Sequence, residues 1–145
     1  SQGTTFMLAG EEMYRTKQGN GNSYNASYEV NELNYQWKID NYDMFENYQK
    51  LIKFKQNVDG MHLNANTIHS LTINTNSDSN VIYYEIKDSV DNKTYVIIHS
   101  NGVNPSSRES FDLTGYTLYL DTLGKLSGSL TNITPEAYQT IIAYK

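Results

Sequence analysis

Apolar and polar positions follow two different periods along this chain. The first apolar run, Phe6-Met7-Leu8-Ala9, is unbroken and ends in Gly10 followed by two carboxylates, Glu11 and Glu12. A short continuous run of this kind predicts a strand buried on both faces, as in a parallel sheet. A polar loop rich in Gly and Asn follows. Residues 43–56 then take a helical period, with Met44, Tyr48, Leu51 and Ile52 on one face, Phe45 beside them, and Lys50, Lys53 and Lys55 toward solvent. Asp43 stands as the expected N-cap and Glu46 completes a capping-box pattern. Trp37, the only tryptophan, precedes this helix and is expected to pack the loop.

Asn57-Val58-Asp59-Gly60 carries an Asp-Gly turn signal, and beyond it the period becomes alternating. Short strands are predicted at residues 71–73, 81–86, 94–98, 109–113, 116–120, 125–130 and 140–144, separated by Asn-, Asp-, Ser- and Gly-rich breaks. Residues 62–69 read either as a single helical turn or as extended chain. The pattern predicts an α+β chain in which residues 1–57 have α/β character and residues 58–145 form an all-β antiparallel sandwich.

A chain of 145 residues holds one domain, or part of one with a smaller one beside it. The net charge of −5 and the absence of any basic stripe argue against a nucleic-acid or anionic-membrane partner. Only 19% of residues are charged, while Asn, Ser, Thr and Tyr are abundant. Hydroxyls, amides and aromatic faces suit sugar hydroxyls and pyranose C–H surfaces, although Tyr and Thr also simply suit strands. No cysteine is present, which excludes disulfides and thiolate metal sites and is compatible with an extracellular, cell-surface or cytoplasmic location. No apolar run approaches the ~18–20 residues of a membrane span. A chain that opens on Ser1 just before a buried strand is expected to be a piece of a longer protein.

Specific motifs sharpen this. Ala9-Gly10-Glu11-Glu12, Arg15-Thr16-Lys17, Gly19 and Gly21 with Asn22-Ser23-Tyr24-Asn25, and Glu29-Val30-Asn31-Glu32-Leu33 resemble the last barrel strand and following loop of type I pullulanases. These are debranching enzymes of the α-amylase superfamily, glycoside hydrolase family 13, and related isoamylases carry a similar pattern. The resemblance is strongest before Gln56; afterwards it follows layout more than residues. It implies that residues 1–57 are the C-terminal end of a catalytic (β/α)8 barrel, with strand eight, a substrate-side loop and the closing helix. Residues 58–145 would be the all-β C-terminal domain. The implied parent hydrolyses α-1,6-glucosidic linkages in pullulan, glycogen or limit dextrins, with an α-glucan as partner. No cofactor is implied for this chain, while calcium in the parent is compatible with the resemblance. The alternative is a stand-alone α-glucan-binding β module without catalysis, for which Tyr83, Tyr84, Tyr116 and Tyr119 are the platform candidates.

Retaining glycoside hydrolysis needs two carboxyl groups about 5–5.5 Å apart. Glu11 and Glu12 are adjacent at a predicted strand end, where successive side chains point to opposite faces, so they make a poor dyad. The resemblance implies that the nucleophile, the acid/base and the third carboxylate lie on strands four, five and seven, upstream of Ser1. No catalytic residue is therefore expected here. The substrate-binding candidates are Glu11, Arg15, Asn22, Tyr24 and Asn25. Arg15 either donates to sugar hydroxyls or a catalytic carboxylate, or forms a salt bridge with Glu11 or Glu12. The Asn and Gly residues either line outer subsites or serve the turns of the loop. Tyr28 replaces a carboxylate common in relatives, and Asn34-Tyr35 replaces Asp-Trp, which puts outer-subsite detail in doubt.

His62, His69 and His99 lack metal-ligand spacing. Asp78 and residues 88–91 offer oxygen ligands without an EF-hand pattern and are expected to be solvated turns. Asn25, Asn92 and Asn132 head formal glycosylation sequons. A single parallel strand at residues 6–9 cannot satisfy its own backbone, so either it pairs with the rest of a barrel or another copy of the chain, or the front segment refolds onto the β domain.

Overall fold

A computed structural model describes residues 2–62, 70–76, 80–101 and 109–145, with the backbone alone for 70–76. The chain divides into two compact units, residues 3–57 and residues 58–145.

The first unit is helical. A 3-10 turn, Glu11–Met13, is followed by α1 (Tyr28–Asn31), α2 (Gln36–Asp40) and α3 (Tyr42–Asn57). α3 spans the predicted helix, and its inward positions follow the 3.6-residue period: Met44, Tyr48 and Leu51 are half-buried and Phe54 is fully buried. Periodicity places Ile52 on this face, yet it is exposed; Phe54, two residues on, takes the buried position. The expected capping box does not form. Asp43 lies inside the first turn, the Asn41 carbonyl accepts the Phe45 amide, and Glu46 pairs forward with Lys50 at 2.9 Å instead of reaching back. The 3-10 turn lies against α3, where burial raises the Tyr48 hydroxyl above its ordinary pKa, with the charges of Glu11 and Glu12 adding to the effect.

Residues 6–9 form no strand, contrary to the sequence expectation. Phe6 is 96% exposed, and no described strand offers these residues a hydrogen-bonding ladder. Their carbonyls turn to local partners instead: Leu8 accepts the Glu11 amide at 3.1 Å and Ala9 accepts Arg15 Nη1 at 3.2 Å.

The second unit is antiparallel β. β1 (Ser70–Asn76), β2 (Val81–Lys87), β3 (Thr94–Ser100), β7 (Thr140–Tyr144) and β5 (Thr117–Asp121) make a five-stranded sheet in the order β1-β2-β3-β7-β5. β4 (Phe111–Asp112) pairs with β6 (Asn132–Ile133) in a separate two-stranded ribbon. The register places Tyr83, Ile98 and Ile141 side by side on one face, and Tyr84, Ile97 and Ile142 on the other. Val81, Val96, Ile98, Leu113, Leu130, Ile141 and Ala143 form the core on the first face, with Phe111 and Ile133 of the ribbon packed against it. Ile86, Ile97 and Ile142 are buried on the second. A sheet buried on both faces explains why β3 reads as a nearly continuous apolar run although it is antiparallel. In β5 an irregularity between Leu118 and Leu120 shifts the register, so that Leu118 pairs with Ala143 but Leu120 pairs with Ile142. The extra residue, Tyr119, thus lets both leucines pack inward on opposite faces.

The strand expected at 125–130 is absent. Gly124 and Gly128 have φ of 65° and 72°, outside the extended region, and the Asp121 carboxylate captures the amides a ladder would need. It accepts from Leu123 N at 3.0 Å, Lys125 N at 2.7 Å and Leu126 N at 2.9 Å, and from Gln139 Nε2 at 2.6 Å. Burial alone would raise this carboxyl, but the hydrogen bonds from Gln139 and the three amides outweigh it and hold the pKa below its ordinary 3.8. A depressed folded-state pKa contributes stability above the unfolded value, and that contribution is lost as pH falls through the folded one. Asp121→Asn is therefore expected to cost about 1–3 kcal/mol at neutral pH. It should also flatten the loss of stability below pH 3.8, measured by urea unfolding across a pH series. An unchanged acid limb would contradict this role.

Two sequence expectations, the helical turn at 62–69 and the fate of Asp78, fall largely or wholly on positions outside the described residues.

Candidate functional site

The candidate site is the loop of residues 10–34 in the first unit. Its framework begins at Gly10, whose φ of 97° is a conformation that L side chains rarely adopt. There the chain turns sharply: the Gly10 carbonyl accepts both the Met13 and the Arg15 amides, and the Gly10 amide donates to Glu12 Oε2 at 3.1 Å. Arg15 packs so closely on Gly10 that a Cβ there would lie 2.7 Å from Arg15 Cβ.

Arg15 is engaged by the backbone of its own loop. Its guanidinium donates to the Ala9 carbonyl through Nη1 and to the Asn31 carbonyl through Nη2, tying the two ends of the loop together. Among the described residues no salt bridge joins it to Glu11 or Glu12. Five fixed donors make arginine well suited to bridging carbonyls from separate segments. Its Nε is buried without a hydrogen-bond partner among the described residues.

Asn31 is a hub to which the sequence pattern assigns no role. Its Oδ1 accepts from Lys17 Nζ at 2.8 Å, and its Nδ2 donates to the Ser23 carbonyl at 2.8 Å and the Ala26 carbonyl at 3.2 Å. Lys17 Nζ also donates to Ser23 Oγ at 2.8 Å. A signal is present in the sequence: Arg15, Lys17, Ser23, Asn31 and Gly10 all belong to the motifs quoted above. What those motifs encode in this chain is the scaffold of the loop.

The scaffold leaves the remaining candidates outward. Glu11, Asn22, Tyr24 and Asn25 are exposed, Tyr24 by 83%, and Tyr28 beyond them by 76%. Asn22 is placed by its amide, which donates to Asn20 Oδ1 at 3.0 Å in an Asx turn. Tyr14 is exposed and held at φ 58°. This surface offers amide donors and acceptors beside aromatic faces, which is hydrogen-bonding and stacking chemistry. Glu12 is half-buried and accepts the Gly10 amide, whereas Glu11 is exposed.

The second unit supplies fewer contacts than the sequence offered. Tyr83 stacks on Phe111 with centroids 5.2 Å apart and donates to Glu85, and Tyr116 packs on the core with Lys145 Nζ over its ring. Tyr84 is half-buried. Of the four platform candidates, Tyr119, the extra residue at the β5 irregularity, is the exposed one. Among the described residues no three His, Asp or Glu side chains come together as a metal site, and His69 lies outside them. The turn expected to be solvated is not so at Asp88, which is buried and accepts the Gly60 amide from a distant segment as well as the Val90 amide; Asp91 accepts the Lys93 amide and the Tyr95 hydroxyl. Among the described residues no helix is long and apolar enough to cross a membrane.

No family model matches the chain. Its whole length superposes on the pullulanase from Bacillus acidopullulyticus with a TM-score of 0.75 and 25% identity, covering 19% of that enzyme. Isoamylases of Pseudomonas amyloderamosa and of Pseudomonas sp. strain SMP1 are each 39% identical over 56 residues, 39% of this chain and 7% of their own length. A trehalose-6-phosphate hydrolase from Bacillus licheniformis shares the fold over 81% of the chain with a TM-score of 0.54 and 17% identity. The chain is thus similar to debranching enzymes of the α-amylase superfamily. Within that group its likeness is to a pullulanase, consistent with a C-terminal part of one, and it spans under a fifth of that relative's length.

Proposed function

We propose that this chain is the C-terminal part of a pullulanase-like debranching enzyme that hydrolyses α-1,6-glucosidic linkages in pullulan, glycogen or limit dextrins. The observation that carries this reading is the whole-length superposition on a pullulanase, together with the isoamylase likeness over 56 residues. In this reading residues 1–57 complete the catalytic barrel, residues 6–9 become its last strand once neighbouring strands are present, and residues 58–145 are the sandwich-type C-terminal domain. The catalytic carboxylates are supplied from upstream. The loop's role is to hold Asn22, Tyr24 and Asn25 toward the glucan, with Gly10, Arg15, Lys17 and Asn31 as its frame; Arg15 is a positioning residue.

Two measurements test this. The reading frame upstream of the Ser1 codon should run through a barrel with carboxylates after its fourth, fifth and seventh strands; a signal peptide or start codon directly before Ser1 would sink the proposal. The isolated chain should release no reducing sugar from pullulan or branched limit dextrin. Hydrolysis by the chain alone would place the catalytic carboxylates within it and overturn their assignment upstream.

A further inference from the structure

The sequence Asn20-Gly21 sits on the exposed outer part of the loop, and its local geometry favours intramolecular chemistry. Both residues are exposed, and the Gly21 amide makes no hydrogen bond among the described residues, whereas the neighbouring Asn20 and Asn22 amides are engaged by Lys17 O and Asn20 Oδ1. A hydrogen bond donated to Oδ1 draws electron density from the side-chain carbonyl and makes Cγ the better electrophile. Gly21 has no side chain to shield its amide, and its φ is not in the left-handed region, so nothing in the backbone demands glycine there.

We infer that Asn20 is a site of spontaneous succinimide formation and deamidation. The deprotonated Gly21 nitrogen attacks Asn20 Cγ. The N–Cγ bond forms, the Cγ–Nδ2 bond breaks, and ammonia leaves with the proton taken from solvent. Water then opens either carbonyl of the ring, giving aspartate or isoaspartate, with no oxidant or reductant required. Either product adds one negative charge. Isoaspartate also routes the main chain through the former side chain and lengthens it by a methylene. In the isoaspartate product the Oδ1 acceptor that places the Asn22 amide becomes a main-chain carbonyl and leaves that position, so this product acts on the part of the loop that carries Asn22, Tyr24 and Asn25. The chemistry is independent of whether that surface contacts a glucan. Asn101-Gly102 repeats the dipeptide, but Gly102 lies outside the described residues, so the geometric argument is made for Asn20.

The test is incubation of the folded protein at mildly alkaline pH, followed by peptide mapping for the mass gain of NH2 to OH and by isoaspartyl methyltransferase labelling. Asn20 is expected to convert several-fold faster than Asn22, Asn25 and Asn34, and faster as pH rises, because the nucleophile is the deprotonated amide. Gly21→Ala, whose Cβ meets no atom within 4 Å, should fold normally and slow the conversion several-fold. An unmodified Asn20, a rate no greater than at the other three asparagines, or an unchanged rate in Gly21→Ala would overturn the assignment.

Discussion

Ile98→Ala is expected to destabilise the β unit by about 2–5 kcal/mol, the range for deleting most of a large aliphatic side chain from a rigid core. Ile98 is completely buried on β3 and lies between Tyr83 and Ile141 in the register. It belongs to the cluster that joins β2, β3 and β7 to the ribbon through Leu113 and Leu130. Neighbouring strands hold its backbone on both sides, so the cavity cannot collapse by moving β3. Domains are commonly stable by only about 5–15 kcal/mol, and a loss of this size leaves a fraction unfolded near physiological temperature. Ile82→Ala is the internal control, because Ile82 is 44% exposed and its side chain is already partly in water. The two variants are compared by urea unfolding followed by far-ultraviolet circular dichroism. A similar midpoint shift in both would mean that the register does not define the core.

The elements most legible in the sequence are those whose burial comes from regular periodicity. β2, β3 and β7 fall where alternation and β-branched runs place them, and α3 begins and ends within a residue of the predicted helix. The errors have local causes. Residues 125–130 alternate convincingly, yet one carboxylate, Asp121, binds three nearby amides and curls the segment away from any sheet. Residues 6–9 have the composition of a buried strand, but composition records the environment for which a segment is suited and cannot supply the neighbouring strands. α1 and α2 escape notice in the sequence because they are four and five residues long, too short to show a period.

The loop shows a related limit. The motif residues are readable as a group, but their division of labour is not. The sequence suggests an Arg15 that faces a substrate or an acidic neighbour, because a charged side chain in a polar loop has no visible reason to face its own backbone. The carbonyls of Ala9 and Asn31 provide that reason only after the chain has turned at Gly10. The exposed residues Asn22, Tyr24 and Asn25 are therefore carried on a loop whose frame is closed by Arg15 and Asn31.

That dependence makes Gly10→Ala the most informative change in the first unit. Two penalties combine. A side chain at φ 97° is strained wherever it stands, at a cost of order 1–3 kcal/mol. The new Cβ would also sit 2.7 Å from Arg15 Cβ, 2.8 Å from Arg15 Cδ and 3.1 Å from Leu33 Cδ2. The Cδ of a long side chain can swing away, but Arg15 Cβ is fixed to the backbone that closes the turn on the Gly10 carbonyl. Relief therefore requires the turn to open, which withdraws the guanidinium from Ala9 and Asn31. Gly19→Ala separates the two penalties: Gly19 has φ 78°, but an added methyl would meet no atom within 4 Å, so this variant carries backbone strain without the clash. Gly10→Ala should lower the melting temperature more than Gly19→Ala. It should also raise hydrogen exchange across residues 15–31, where Gly19→Ala leaves the Arg15 and Asn31 contacts in place. Equal losses in the two variants, with exchange near Asn31 unchanged, would mean that the loop is held without the Arg15 clamp.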